Sequence, residues 1–409
     1  MSKEKSDKDN LDIENLESIN VGLVGHIDHG KTTLLKQLTG KWADMHSEEL
    51  KRGITIKLGY ADCIIRDNDG EWSVEEGKPK RYVSFIDAPG HEMLMATMLS
   101  GAAMIDAAVL IVAADEGIKP QTREHLMALQ AKGVENIVIV QNKIDLVDKK
   151  EAKESYNKIK EFVKGTVAED APIIPCSALQ GVNVSNVLKA LVEIDPKEQD
   201  LDSEPVFVIA RSFDINRPGS KIDNLNGGVL GGALKKGKLK PGDEIEIKPG
   251  LTVEEENKKI YKTLKTKVKS LYKGEHKIKE ARPGGSIAIE TDLDPSTTKA
   301  DNLAGCVAGL EGKLPEIKER AWIKFDLFDQ ILGTKEHQEV ENIKTAENLL
   351  LSVDTATTVG TVTQVKDNKA ELNLRIPIVP FKGHSIGIAR NVDNHWRLIG
   401  LGEVAEKEE

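Results

Sequence analysis

Residues 25–32 read Gly-His-Ile-Asp-His-Gly-Lys-Thr. Two glycines separated by four residues, then a lysine and a hydroxyl, let backbone N–H groups close around a phosphate. Lys31 can reach the β- and γ-phosphates, and the Thr32 hydroxyl can ligate Mg²⁺ beside Thr33. Asp87-Ala-Pro-Gly-His91 adds a carboxylate suited to hold that ion through water. Its Gly90 has an N–H free to follow the γ-phosphate, and His91 either orients an attacking water or is a surface histidine at a helix start. Thr55, in Arg52-Gly-Ile-Thr, lies between these motifs and would bring a second hydroxyl to the ion only while the triphosphate is present. Asn142-Lys-Ile-Asp145 reads the base. The Asp145 carboxylate accepts from guanine N1–H and the 2-amino group, which adenine lacks, while Lys143 lies along the base and Asn142 pins the loop. Cys176-Ser-Ala-Leu179 completes the set through Ser177, the Ala178 N–H facing guanine O6, and Leu179. All five in this order imply GTP hydrolysis to GDP, with the γ-phosphate as a switch. No arginine positioned to assist in cis stands out, so unaided hydrolysis is expected to be slow.

Such a site needs strand ends and helix starts to carry it. Short apolar runs at 20–24, 82–86, 107–113, 136–141 and 173–176 alternate with helical stretches at 31–38, 91–100, 122–131, 151–164 and 184–191. That alternation predicts a mostly parallel, doubly wound α/β sheet, and the motifs fall at its strand ends. After about residue 200 the helices give way to β-branched runs punctuated by Pro-Gly and Gly-Gly, which predict an antiparallel barrel and then a second all-β block. The expected division is a disordered tail at 1–18, a P-loop GTPase domain at 19–200, and antiparallel β-barrels at 201–315 and 316–409.

Composition narrows the class. Aromatic residues make up 4% of the chain, so the cores must be built from Val, Ile, Leu and Ala. The longest apolar run is far short of a membrane span, and three distant cysteines form neither a disulfide framework nor a metal set. A reducing, cytoplasmic setting is expected, with neither membrane nor DNA among the partners. The net charge of −10 is uneven: residues 201–313 carry 20 Lys and Arg against 17 Asp and Glu. An excess this small reads as a solvated lysine-rich surface.

The nucleotide boxes, with histidine after Asp-x-Pro-Gly and Arg-Gly-Ile-Thr upstream, resemble those of translational GTPases of the elongation factor Tu type. Residues 46–60, 87–101, 211–219, 227–232 and 291–303 are most similar to the gamma subunits of archaeal and eukaryotic initiation factor 2. The resemblance implies a heterotrimer with alpha and beta subunits that carries methionylated initiator tRNA to the small ribosomal subunit and releases it after hydrolysis. It also implies that Thr32 and Thr55 ligate Mg²⁺, and that Asp28 with the Gly53 carbonyl could hold a second ion. Asp28, His29 and Gly30 would line the phosphates. The tRNA 3′ end would lie between the first domain and the first barrel, with Tyr60 either stacking there or packed in the core. An elongation factor, general or selenocysteine-specific, and a weakly hydrolysing scaffold are the alternatives. Family members often carry a four-cysteine zinc knuckle ahead of Asp87. Residues 61–80 hold Cys63 alone, so no zinc is expected there, and the stretch reads as a shortened, mobile loop.

Overall fold

The computed structural model describes residues 13–40, 59–87, 101–196, 198–216, 219, 225–255, 258–331, 338–381 and 384–405. Gly53, Thr55, Gly90, His91 and the whole of the helix expected at 91–100 lie outside them. Among the described residues the first sheet has seven strands: β1 (Ser18–Gly25), β2 (Gly59–Asn68), β3 (Glu71–Ser73), β4 (Lys78–Asp87), β5 (Ala107–Ala113), β6 (Asn136–Asn142) and β7 (Ile173–Pro175). Their order is β3-β2-β4-β1-β5-β6-β7, parallel from β4 to β7 and antiparallel at β2 and β3. Every residue of β1 and β5 is buried, as a sheet covered on both faces requires. Alternate residues feed two cores. Val21, Leu23, Val109 and Ile111 pack with α1 (Lys31–Thr39), whereas Val24, Ala108, Leu110 and Val112 pack with α2 (Pro120–Ala131) and α3 (Lys149–Val163). α4 (Val184–Val192) joins the α1 face through Val187, Leu188 and Leu191.

The first barrel comprises β8 (Val206–Phe213), β9 (Val229–Lys236), β10 (Glu244–Glu255), β11 (Lys258–Lys273), β12 (His276–Ile278), β13 (Ile287–Thr291) and β14 (Val307–Leu310). Pairing of β10 with β11 closes it, and β12 extends from β11. The second barrel begins at β15 (Lys318–Leu327). After a small pair, β16 (Gln330–Ile331) with β17 (Gln338–Glu339), it continues through β18 (Asn348–Val353), β19 (Ala356–Lys366), β20 (Lys369–Ile378), β21 (Ser385–Val392) and β22 (His395–Ala405). It closes in the order β15-β20-β19-β18-β21-β22. The glycines at 227 and 232 answer a steric demand: a Cβ there would meet the carbonyl oxygens of Thr291 and Val208 at 1.8 and 1.9 Å.

Two expectations are corrected. Residues 61–80 form a hairpin of β2, β3 and the start of β4 rather than a loop. Ala61, Cys63 and Ile65 turn inward, and a tight turn with φ of 52° at Asp69 and 92° at Gly70 reverses the chain. The tail does not extend to residue 18. Ile13 is buried, Glu14 accepts the Lys279 N–H of the first barrel, and Glu17 pairs with Arg81 at 2.7 Å. These residues are ordered because they fill the seam between sheet and barrel, where Lys273 Nζ also donates to Ser18 Oγ at 2.8 Å. No described helix is long and apolar enough to cross a membrane.

Arg81 ties this seam together. Buried at the start of the apolar run of β4, it donates to the carbonyls of Leu191 at 2.9 Å and Ile194 at 2.5 Å as well as to Glu17. Arg81→Met leaves both carbonyls unmet and should cost about 2–4 kcal/mol, read as a lower urea midpoint of the first domain. Glu17→Gln, at an exposed carboxylate, should cost less than about 1 kcal/mol.

Candidate nucleotide site

β1 ends at Gly25 and α1 begins at Lys31, so the loop between them places helix N–H groups at the strand end. The loop turns through left-handed conformations at Asp28 (φ 61°) and Gly30 (φ 92°). Asp28 is exposed, His29 is buried, and Thr32 and Thr33 are half-buried at the mouth. Lys31 is buried, and its ammonium donates to the Gly25 carbonyl at 3.0 Å and the His26 carbonyl at 2.8 Å. Desolvation lowers its pKa, opposed by the charges of Asp87 and Asp28. The Thr32 hydroxyl donates to Asp87 Oδ2 at 3.0 Å, bringing the two expected ion-holding groups together across the end of β4.

Asn142, at the end of β6, joins the phosphate and base halves. Its Nδ2 donates to the His29 carbonyl at 2.9 Å, and its Oδ1 accepts the Ala178 N–H at 2.9 Å. The Ala178 N–H, expected to face guanine, is here held by Asn142. Ser177 is buried and closes its loop by exchanging backbone bonds with Val182 at 3.2 and 3.1 Å, while its Oγ accepts the Gln180 N–H at 3.2 Å. Leu179, 71% exposed, and Leu146, 61% exposed and next in sequence to the exposed Asp145, present apolar surface. Lys143 adopts φ of 60° and places Nζ 3.2 Å from Glu116 Oε1. Glu116 also pairs with Lys119 at 3.5 Å and faces His29 at 4.0 Å. Tyr60 lies apart from this group. Its ring is half-buried against the core that runs from the sheet into both barrels, and its hydroxyl is buried near Arg211 and Asp301.

Two contributors carried no signal in the sequence reading. Glu116 follows β5 in a turn with no motif around it. His125 sits in α2, 2% exposed, and its Nδ1 accepts the Gly25 N–H at 2.8 Å across 100 residues of chain.

The profile described as Elongation factor Tu GTP binding domain matches residues 16–197, and that described as Initiation factor eIF2 gamma, C terminal, matches residues 319–404. Translation initiation factor 2 subunit gamma of Methanocaldococcus jannaschii is 51% identical over 398 residues, spanning 94% of this chain and 97% of its own. Its counterpart in Halobacterium salinarum strain R1 is 50% identical over 405 residues, spanning 95% and 98%. The chain belongs to the family of translation initiation factor 2 gamma subunits. It is a GTP-binding translational GTPase of translation initiation. Among solved structures, a bacterial selenocysteine-specific elongation factor EF-Sec matches with a TM-score of 0.74 at 23% identity, covering 95% of this chain; the chain spans 58% of that protein. The elongation factor SelB of Methanococcus maripaludis, in complex with the GTP analogue GppNHp, matches with a TM-score of 0.72 at 22% identity, covering 96% of this chain and 80% of that one. These two establish a shared fold.

This gamma-subunit site generates two checks. A Cβ on Gly30 would stand 2.3 Å from Asn142 Nδ2 at a φ of 92°. Gly30→Ala should therefore lower GDP affinity about ten- to hundredfold by equilibrium binding, the equivalent of about 1–3 kcal/mol of strain. Burial holds the His29 imidazole down to about 4, below its ordinary 6.5. Above pH 6.5 the group is neutral folded and unfolded; between 6.5 and about 4 only the unfolded chain takes the proton. Stability should fall as pH falls through that window, by up to about 1.4 kcal/mol per unit from this group. Urea midpoints at successive pH values should show the slope, and His29→Asn should reduce it, leaving the part that the likewise depressed His26 and His125 contribute.

Proposed function

We propose that this gamma subunit carries methionylated initiator tRNA to the small ribosomal subunit while GTP is bound, together with alpha and beta subunits, and releases it after hydrolysis in the cytoplasm. The observation that supports initiation over elongation is the 50–51% identity to initiation-factor gamma subunits along 94–95% of the chain, barrels included. The selenocysteine factors share the fold at 22–23% identity. Residues 211–216, 227–232 and 291–303, from the segments most similar to gamma subunits, also meet in one corner of the first barrel. Arg211 Nε donates to Asp301 Oδ1 at 2.9 Å, Thr298 Oγ1 to the Phe213 carbonyl at 3.1 Å, and Thr291 Oγ1 to the Gly228 carbonyl at 2.7 Å. Tyr60 approaches this corner from the first domain, which supports a tRNA-end groove there and leaves its ring either stacking on the ligand or packed beneath it.

At the nucleotide, Lys31 would exchange its two carbonyl partners for phosphate oxygens, with Asp28, Gly30 and Thr33 lining the loop. The facing Thr32 hydroxyl and Asp87 carboxylate are hard oxygen donors that suit Mg²⁺, with Thr55 as a further ligand and Asp28 with the Gly53 carbonyl for a second ion. A bound Mg²⁺ would supply neutralisation of phosphate charge. Asp145 selects guanine, Lys143 leaves Glu116 to cover the base plane, and Ser177, Ala178 and Leu179 shape the base side. Gly90 and Thr55 report the γ-phosphate to the first barrel, and His91 orients the water. A ligand shifts such an equilibrium only through contacts that differ between its states, and these two provide them.

Binding of methionyl initiator tRNA should require a non-hydrolysable GTP analogue, exceed that of elongator methionyl tRNA, and strengthen with an alpha subunit. Thr55→Ala should abolish the GTP-dependence while changing GDP affinity less than about threefold. Equal binding of both tRNAs would instead favour an elongation factor. No tRNA binding in either nucleotide state would favour a scaffold.

A further inference from the structure

α2 carries two adjacent buried side chains that the nucleotide chemistry leaves unused. His125 reaches the phosphate loop, its Nδ1 accepting the Gly25 N–H at 2.8 Å. Glu124, 1% exposed, reaches the other way and accepts from Arg397 of β22 at 2.6 Å. The far end of the helix is fixed to the same barrel. Lys132 donates to the Ser352 and Ser385 carbonyls at 3.0 and 3.3 Å, and Ser385 Oγ donates to the Ala131 carbonyl. The helix is therefore held along its length by the second barrel while one ring projects into the nucleotide loop.

The residue it grips is one of the two that hold the lysine of the phosphate loop. The Gly25 carbonyl, on the residue whose N–H His125 receives, accepts from Lys31 Nζ at 3.0 Å. Gly25 is closely packed on one side, where a Cβ would meet the Ile111 carbonyl oxygen at 2.4 Å. Its N–H is enclosed, so losing the acceptor leaves a buried donor unmet. Burial pushes the His125 imidazole down to about 3, which keeps it neutral; with Nδ1 accepting, its proton resides on Nε2.

We propose that His125 is a positioning residue for the phosphate loop, and that the second barrel sets its placement through the Glu124–Arg397 pair, so that nucleotide retention depends on how that barrel is docked. The proposal rests on residues 25–32 being the phosphate cradle. A small displacement of the barrel moves α2 as a unit, and a hydrogen bond to a ring at its edge is kept or lost over a fraction of an ångström. Nucleotide release thereby becomes sensitive to anything that binds the outer face of the second barrel or its junction with α2.

Release of a fluorescent GDP analogue from the full chain, chased with unlabelled GDP, tests this. His125→Leu removes the acceptor at similar volume and should speed release about tenfold or more. His125→Asn places an amide oxygen where Nδ1 stood and should restore release to within about threefold of the parent, a rescue that a space-filling role would not give. Arg397→Met should speed release about fivefold alone and add nothing in the His125→Leu background, because both act on one bond. Unchanged release in folded His125→Leu, equal release in the Asn and Leu variants, or additive effects with Arg397→Met would overturn the proposal. If His125→Leu fails to fold, the paired change Glu124→Gln with Arg397→Met decides: faster release supports the proposal and unchanged release overturns it. Undiminished GDP affinity in Lys31→Ala would instead overturn the cradle assignment beneath it.

Discussion

The carboxamide of Asn142 is the point at which this nucleotide site is assembled. One end holds the His29 carbonyl in the phosphate loop, the other holds the Ala178 N–H in the base loop, and its flank leaves room only for hydrogen on Gly30. Three loops that are far apart in sequence thus acquire fixed spacing from a single side chain at the end of β6. Carboxylates would repel one carbonyl of this arrangement and lysine could not serve the N–H, so an amide is the group with both a donor and an acceptor of the right reach. Phosphate and base recognition therefore cannot vary independently: a change at Asn142 misplaces both.

Outside that centre, the three units are joined by polar bonds that are buried or partly buried. Lys273 reaches Ser18, Ser286 N–H donates to Ser84 Oγ at 2.8 Å, and Arg397 reaches Glu124. Burying such groups is unfavourable unless the geometry satisfies them, so these seams are specific rather than adhesive. An apolar seam could slide; one that strands a lysine or an arginine when it opens has few intermediate positions. That gives the contacts between sheet and barrels the discrete character a two-position switch requires.

The sequence exposed what depends on local backbone demands and hid what depends on distant partners. Gly25 and Gly30 announce themselves because their close contacts and positive φ exclude other residues, and the strand ends were legible from unbroken apolar runs such as 107–113. His125, Glu124 and Arg397 carry no such mark: in sequence they are polar residues in a helix and a strand, and only the fold brings them to their partners 100 and 273 residues away. The 61–80 hairpin is a different case, since its signal was present. Asn68-Asp69-Gly70 after the alternation of Ala61, Cys63 and Ile65 is a turn flanked by a strand pattern, which a reading by cysteine count alone does not register. Residues 1–18 were read as a tail from their charge, but a few apolar positions, Ile13 above all, suffice to dock the last of them.

The fold alone would not distinguish this protein from the selenocysteine factors that superpose on it at a TM-score of 0.72–0.74. Their shared architecture sets a nucleotide site at the strand ends and two barrels beside it, and function must then be sought in what the barrels present. Here that is the corner where Arg211 meets Asp301, with Ala300 and Asp301 both held at positive φ, 57° and 63°. Two consecutive non-glycine residues in that region are strained, and such strain persists only where surrounding bonds impose it. Asp301 supplies those bonds, accepting from both the Arg211 guanidinium and the Ser212 N–H at 2.9 and 3.2 Å. A surface held in an unfavourable backbone conformation by a half-buried charge pair is pre-shaped before any ligand arrives. Pre-shaping of this kind lowers the ordering cost of whatever ligand such a corner takes, because the backbone conformation is imposed before binding.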